Sequence, residues 1–217
     1  MKKYLSIFMS AVLSGWCITI GAAAYLSLVS TQKIVGAFLF GLGLFVIIHF
    51  QLHLYTGRVG TLLDHRPKYI LELIVCVAGN IIGVLILAGL LRVTRIGDTL
   101  CLEAMKIVEA KQEDSWYSIF LLSVMCGIMI YLATAGHKRC EYALGKALFC
   151  FLAIAVFIVC GFEHCVAGAA YYTFAGYFDL RSLLYLLLMV IGNGLGAVIL
   201  DGMLKLIEYL KREEQQN

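Results

Sequence analysis

The chain has 217 residues, 62% of them hydrophobic and 14% charged, with a formal net charge of +3. Apolar stretches long enough to cross a bilayer, about 20 residues each, recur and consume most of it, which excludes a separate soluble domain. The 17 basic residues are scattered over connecting segments with no aromatic-interleaved block, so nucleic acid is not an expected partner and the lipid bilayer is.

Six spans are predicted in chain order. The first, Leu5–Val29, follows Lys2 and Lys3 and has the look of a secretory signal, but its apolar run is too long for a signal core and it reads as a retained helix. The second, Ile34–Tyr55, ends in HLYTG, His53 to Gly57, and Pro67 marks a tight turn before the third, Ile70–Leu91. The polar segment from Arg92 to Ser115 can form a short amphipathic helix through Leu100, Cys101, Ala104, Met105 and Val108, capped by Asp98 or Thr99. Trp116–Ala135 and Tyr142–Phe162 follow, the latter ending in GFEHCVAG, Gly161 to Gly168. Leu183–Met203 is the last, and the polar C-terminus continues it as a helix.

With the N-terminus in the cytoplasm, the inner segments hold eleven Lys and Arg against six outside, so both termini are expected on the cytoplasmic side of the cell (inner) membrane. The eight cysteines show no CxxC pair and mostly fall within spans, where they read as small hydrophobes.

The halves repeat. AGNIIGVLIL, Ala78 to Leu87, and IGNGLGAVIL, Ile191 to Leu200, share five of ten residues at a separation of 113. HLYTG and HCVAG pair His53 with His164 at a separation of 111. Three spans per half invert the second copy, so a single channel domain over 1–217 is expected, its halves covering approximately 1–91 and 112–210. The Gly-containing breaks in spans two and five would line a cavity, since irregular backbone at that depth survives only there or buried in protein. Asn80 reads as structural. Asn193 can face the lumen or bond a broken backbone.

At this point the residues carry a resemblance. GFEHCVAG resembles the signature of the formate/nitrite transporter family, whose members include formate, nitrite, lactate and hydrosulfide channels; LHLYTG resembles its second-span break, and IGNGLGAVIL its last-span stretch. The resemblance implies an all-α integral membrane protein of six helices in an aquaporin-like hourglass, with helices 2 and 5 broken at mid-membrane. It also implies a homopentamer with a pore in each protomer, and no cofactor or metal.

By matching positions, the pore and substrate path would hold His164, Thr56, Asn193, Glu163, Lys111 and Lys146. Phe40, Leu44, Tyr55, Ile130 and Phe157 would form an outer constriction, and Leu54 and Val166 an inner one. Three departures stand out: Cys165, Gly168 and Gly127 replace a serine and two asparagines of the family pattern. The family's N-terminal amphipathic helix has no counterpart before Leu5, so no gate is expected from it.

The implied mechanism begins with Lys111 and Lys146 concentrating a small monovalent anion. The anion, desolvated between apolar rings, takes a proton from His164 or from water and crosses as its conjugate acid, held by Thr56 and His164. Glu163, pointing about 100° from His164 if locally helical, would instead accept bonds from the facing break. A different class of function is an intramembrane thiol enzyme using Cys165 with His164. The spacing of His49 and His53, four residues apart, is compatible with metal, but no third ligand follows.

Overall fold

The computed structural model describes residues 1–216, and among them every regular element is helical. The α-helices are α1 (Lys2–Leu28), α2 (Lys33–His49), α3 (Tyr55–Arg58), α4 (Tyr69–Arg92), α5 (Gly97–Glu113), α6 (Trp116–Arg139), α7 (Ala143–Val159), α8 (Cys165–Ala175) and α9 (Leu180–Gln216). A 3-10 segment, Val59–Asp64, extends α3. Four helices, α1, α4, α6 and α9, are long and apolar enough to cross a membrane, and α2 and α7 are shorter apolar helices. At 1.5 Å per residue, the 17 residues of α2 or α7 reach about 25 Å, short of the roughly 30 Å hydrocarbon core.

Local chemistry sets the ends. Ser115 caps α6 by accepting from the Ser118 N–H, while the Asp114 carboxylate takes the Ser115 N–H and the Ser118 hydroxyl, both at 2.7 Å. At the start of α9 the caps are reciprocal: the Ser182 N–H donates to Asp179 Oδ1 and the Asp179 N–H to Ser182 Oγ. The Ser182 N–H holds the Asp179 carboxyl below the usual carboxylate range. Gly176 ends α8 at φ 69°, a left-handed C-terminal cap that glycine adopts without strain. Neither Asp98 nor Thr99 caps α5: the residue before the helix is Ile96, with no side-chain cap bond, and Asp98 lies in the first turn. The expected buried face is present, with Leu100, Ala104 and Val108 inside.

The second and fifth spans are each interrupted, earlier than HLYTG and HCVAG suggest. Backbone leaves the helix at Phe50 and at Cys160, and helix resumes at Tyr55 and at Cys165. Gln51 at φ 54° and Gly161 at φ 71° occupy matching positions. The Leu52 N–H returns to the Ile47 carbonyl at 2.9 Å, and the Phe162 N–H to the Phe157 carbonyl at 2.9 Å. Leu54 (φ −107°, ψ 126°) and His164 (φ −102°, ψ 122°) precede their helices in nearly one conformation. The pairing of His53 with His164 is therefore corrected by one residue. His164 corresponds to Leu54, and His53 to Glu163.

α1 packs along α4 and α6 along α9, the backbones meeting over small residues. A Cβ added to Gly127 would collide with the Asn193 carbonyl oxygen, and one on Gly196 with the Val124 carbonyl oxygen. Gly15 and Gly83 make the same approach between α1 and α4. Backbone cannot retreat as a side chain can, so no side chain fits at Gly127. Gly127→Ala is expected to push α6 off α9 at the upper end of the about 1–3 kcal/mol typical of overpacking. A thermal melt of detergent-solubilised protein checks this, and an unchanged midpoint would contradict the close approach.

Candidate functional site

The two interruptions meet. Thr56, in the first turn of α3, and His164, the residue before α8, are both buried, and Thr56 Oγ1 lies 3.0 Å from His164 Nε2. His164 Nδ1 accepts the Ala167 N–H at 3.1 Å, so the imidazole serves as an N-cap. This fixes the tautomer. A nitrogen that accepts an amide N–H is bare, so the proton of the neutral ring sits on Nε2 and points at Thr56. A second proton, on Nδ1, would set two donors against each other and break the cap. The Thr56 hydroxyl, accepting from Nε2, keeps its own hydrogen to offer.

Each interruption is held from behind by an asparagine. Asn193 Oδ1 accepts the Cys165 N–H at 2.9 Å, and its Nδ2 donates to the Ser123 and Glu163 carbonyls at 2.8 and 2.7 Å. Asn80 does the same for the other: Oδ1 accepts the Tyr55 N–H at 2.9 Å, and Nδ2 donates to the Ala11 and His53 carbonyls, both at 2.9 Å. These amides satisfy backbone groups that the interruptions strip of helical partners. Asn193 is fully buried and borders neither cavity described below. His53 is tied in as well, its N–H and Nδ1 both 3.0 Å from Ser10 Oγ.

Two cavities approach this centre. The first, about 500 Å³, is bordered by Phe157, Glu163, His164, Gly168 and Tyr171 at its deep end and by Lys33, Glu103, Lys106 and Asp114 elsewhere. The second, about 420 Å³, is walled by Leu44, Ile47, Leu52 and Leu54 and rimmed by Arg58, His137 and Lys138. Phe157 stacks on His164 at 5.9 Å, and Phe40 meets Phe157 edge-on at 6.0 Å. Phe40, Thr56, Ile130 and Val166 are buried and border neither cavity. Packed side chains therefore stand between His164 on one side and Leu54 on the other.

Several placements differ from expectation. Leu44, assigned to the same ring as Phe157, borders the second cavity with Leu54. Tyr55 turns toward α9, its hydroxyl donating to the Val190 carbonyl at 3.0 Å. Lys146 borders neither cavity; its carbonyl accepts from His137 Nδ1. Glu163 does not bond the facing break with its side chain: both carboxylate oxygens accept from the Lys111 ammonium, and the pair is buried in the first cavity wall. A lysine so neutralised does not concentrate anions. The first cavity carries three lysines against three carboxylates, whereas the second has Arg58 and Lys138 with no carboxylate on its wall. Arg58, directly after the YTG turn, is the residue the sequence reading passed over.

Gly168, where the family pattern has asparagine, borders the first cavity, and a Cβ there would stand 2.9 Å from Met189 Sδ. Met189, fully buried, fills that volume. The thiol-enzyme reading fails on geometry: both ring nitrogens of His164 are engaged elsewhere, with Thr56 and Ala167, and no hydrogen bond joins His164 to the Cys165 sulfur.

The sequence profile of the formate/nitrite transporter family matches residues 1–207. The chain belongs to that family. It is thus a multi-pass membrane protein of a transporter family, not an enzyme. Among relatives of the family, it is 26% identical over 187 residues to the formate channel FocA of Haemophilus influenzae, covering 77% of this chain and 65% of that one. It is 25% identical over 197 residues to the formate channel FocB of Escherichia coli (strain K12), covering 80% and 68%. The chain thus spans about two thirds of the length of these relatives. The fold is similar to a solved pentameric formate channel with formate bound, at TM-score 0.80 and 21% identity over 96% of this chain and 98% of that one. A second solved structure, an ion channel of the same family, matches at TM-score 0.78 and 22% identity over 94% and 90%.

Proposed function

We propose that the chain is a channel for a small monovalent anion and its conjugate acid, of the formate, nitrite, hydrosulfide or short-carboxylate class, through a pore in each protomer of a homopentamer. The contact that carries this reading is the Thr56–His164 hydrogen bond, where two interrupted spans meet between two cavities. Six spans in an inverted repeat of aquaporin-like hourglass form, with both termini in the cytoplasm of an inner-membrane protein, fit the matching interruptions. The first cavity then faces outward and the second inward. The formate channels among the relatives, and the pentamer among the similar structures, support the cargo class and the assembly.

Moving a bare anion into a low-dielectric constriction carries an idealised cost of order 20 kcal/mol. Desolvation raises the proton affinity of the anion as it enters, so it crosses most cheaply as a neutral acid. With Nδ1 committed to the helix cap, His164 acts as a fixed neutral donor toward Thr56, and the Thr56 hydroxyl donates to the passing species. The neutralising proton comes from water in the cavities. Arg58 and Lys138 gather anions at the second cavity by partly screened attraction.

The test is flux of formate, nitrite, lactate and hydrosulfide into liposomes at several pH values. Parent protein is expected to carry at least one of these faster as pH falls and the acid fraction rises. His164→Asn keeps a capping oxygen and an amide donor, so it should pass cargo more slowly with the same pH dependence. Loss of that dependence would return the proton-exchange role to the imidazole, and no flux of any weak acid would end the channel reading.

A further inference from the structure

His49 does not face His53. It faces His137 across the ends of α2 and α6, with ring centroids 5.2 Å apart and planes at 81°. His49 Nδ1 lies 2.8 Å from the Phe45 carbonyl, and His137 Nδ1 lies 3.3 Å from the Lys146 carbonyl, with Cys150 Sγ at 3.7 Å behind it. A carbonyl only accepts, so each Nδ1 carries the ring proton, and each neutral ring presents a bare Nε2 lone pair. Imidazoles that bind metals are commonly oriented in this way, the far N–H donated to a backbone carbonyl. The spacing fits as well: metal–nitrogen bonds of about 2.0–2.1 Å in tetrahedral array put two ligating rings about 5 Å apart, centroid to centroid.

We propose that His49 and His137 form an open site for a divalent transition-metal ion, of the zinc, nickel or copper class that imidazole nitrogen suits, at the mouth of the second cavity. His137 lines the second cavity and His49 lies against it at the end of α2, so an ion entering that cavity meets the pair. Among the described residues no group of three or more His, Cys, Asp and Glu side chains is gathered for a metal, so water completes the coordination. A bound ion would tie the end of α2, just ahead of the first interruption, to the end of α6.

The experiment is titration of tag-free, detergent-solubilised protein with Zn²⁺ by calorimetry, with Mg²⁺ as the hard-cation control. Saturable binding of one Zn²⁺ per protomer is expected, weakened by about tenfold or more in His49→Ala and again in His137→Ala, and unchanged in His53→Ala. His49 is exposed and, among the described residues, its ring meets the rings of Phe45 and His137 alone, so a thermal melt of His49→Ala close to that of the parent shows that lost Zn²⁺ binding is not lost folding. Absence of saturable Zn²⁺ binding, equal binding of Mg²⁺, retention in either single variant, or loss in His53→Ala would each overturn the assignment.

Discussion

Replacing Asn193 by alanine is expected to destabilise the protein more than any other single truncation in the last helix. Three hydrogen bonds disappear together: one from the Cys165 N–H and two to the Ser123 and Glu163 carbonyls. All three backbone groups are placed by helices that cannot close the gap, and each buried group left unsatisfied costs about 1–3 kcal/mol. A loss of several kcal/mol should appear as a large drop in the thermal midpoint of detergent-solubilised protein. Asn193→Asp should not rescue it, because a carboxylate accepts from Cys165 but repels the two carbonyls. Asn80→Ala should behave alike, since its amide makes the matching three bonds. A midpoint within experimental scatter of the parent for either alanine variant would show that the interruptions support themselves.

Lys111→Met is the second large effect. It leaves Glu163 buried at the deep end of the first cavity with no cation, and breaking a buried pair from one side costs about 3–5 kcal/mol. The double variant Lys111→Met with Glu163→Gln removes both charges and should recover most of that stability, because a buried ion pair and an uncharged replacement are often near equal. Flux should follow the same order. A bare carboxylate next to His164 repels an arriving anion, so the single variant should conduct poorly even where it folds, and the double variant should conduct better. If the double variant is as unstable as the two single losses added together, the two residues are not coupled.

Much of this was legible in the sequence because it is local or periodic. The repeated stretches around Asn80 and Asn193 marked two equivalent places in the chain, and there α4 meets α1 and α9 meets α6 over glycines. Thr56 and His164 could be singled out as polar residues at interruptions in apolar spans, and they bond each other. The register of the interruptions was not legible. Identical letters aligned His53 with His164, whereas backbone conformation aligns Leu54 with it, because dihedral angles and hydrogen bonds repeat where side chains have diverged.

Pairings across long separations were also hidden. Lys111 and Glu163 stand 52 residues apart, and each alone reads as an ordinary charge near a span end. The same holds for the cluster in which the Tyr131 hydroxyl and Lys205 share buried Asp201 while Lys205 also reaches Asp64, joining α6, α9 and the 3-10 segment. Which cavity Leu44 borders depends on helix rotation, and α2, apolar nearly all round, gives no stripe from which to read it.

At the interruptions the asparagine clasps grip main-chain atoms, and that has a bearing on how such a protein changes over generations. A peptide N–H or carbonyl is the same whichever amino acid supplies it, so the fastening is blind to the residues it secures. Histidine and glutamate, or tyrosine and cysteine, already occupy equivalent places under the same restraint. Selection can therefore rewrite the chemistry presented at the crossing, and with it the preferred cargo, without disturbing the architecture that holds the crossing in place.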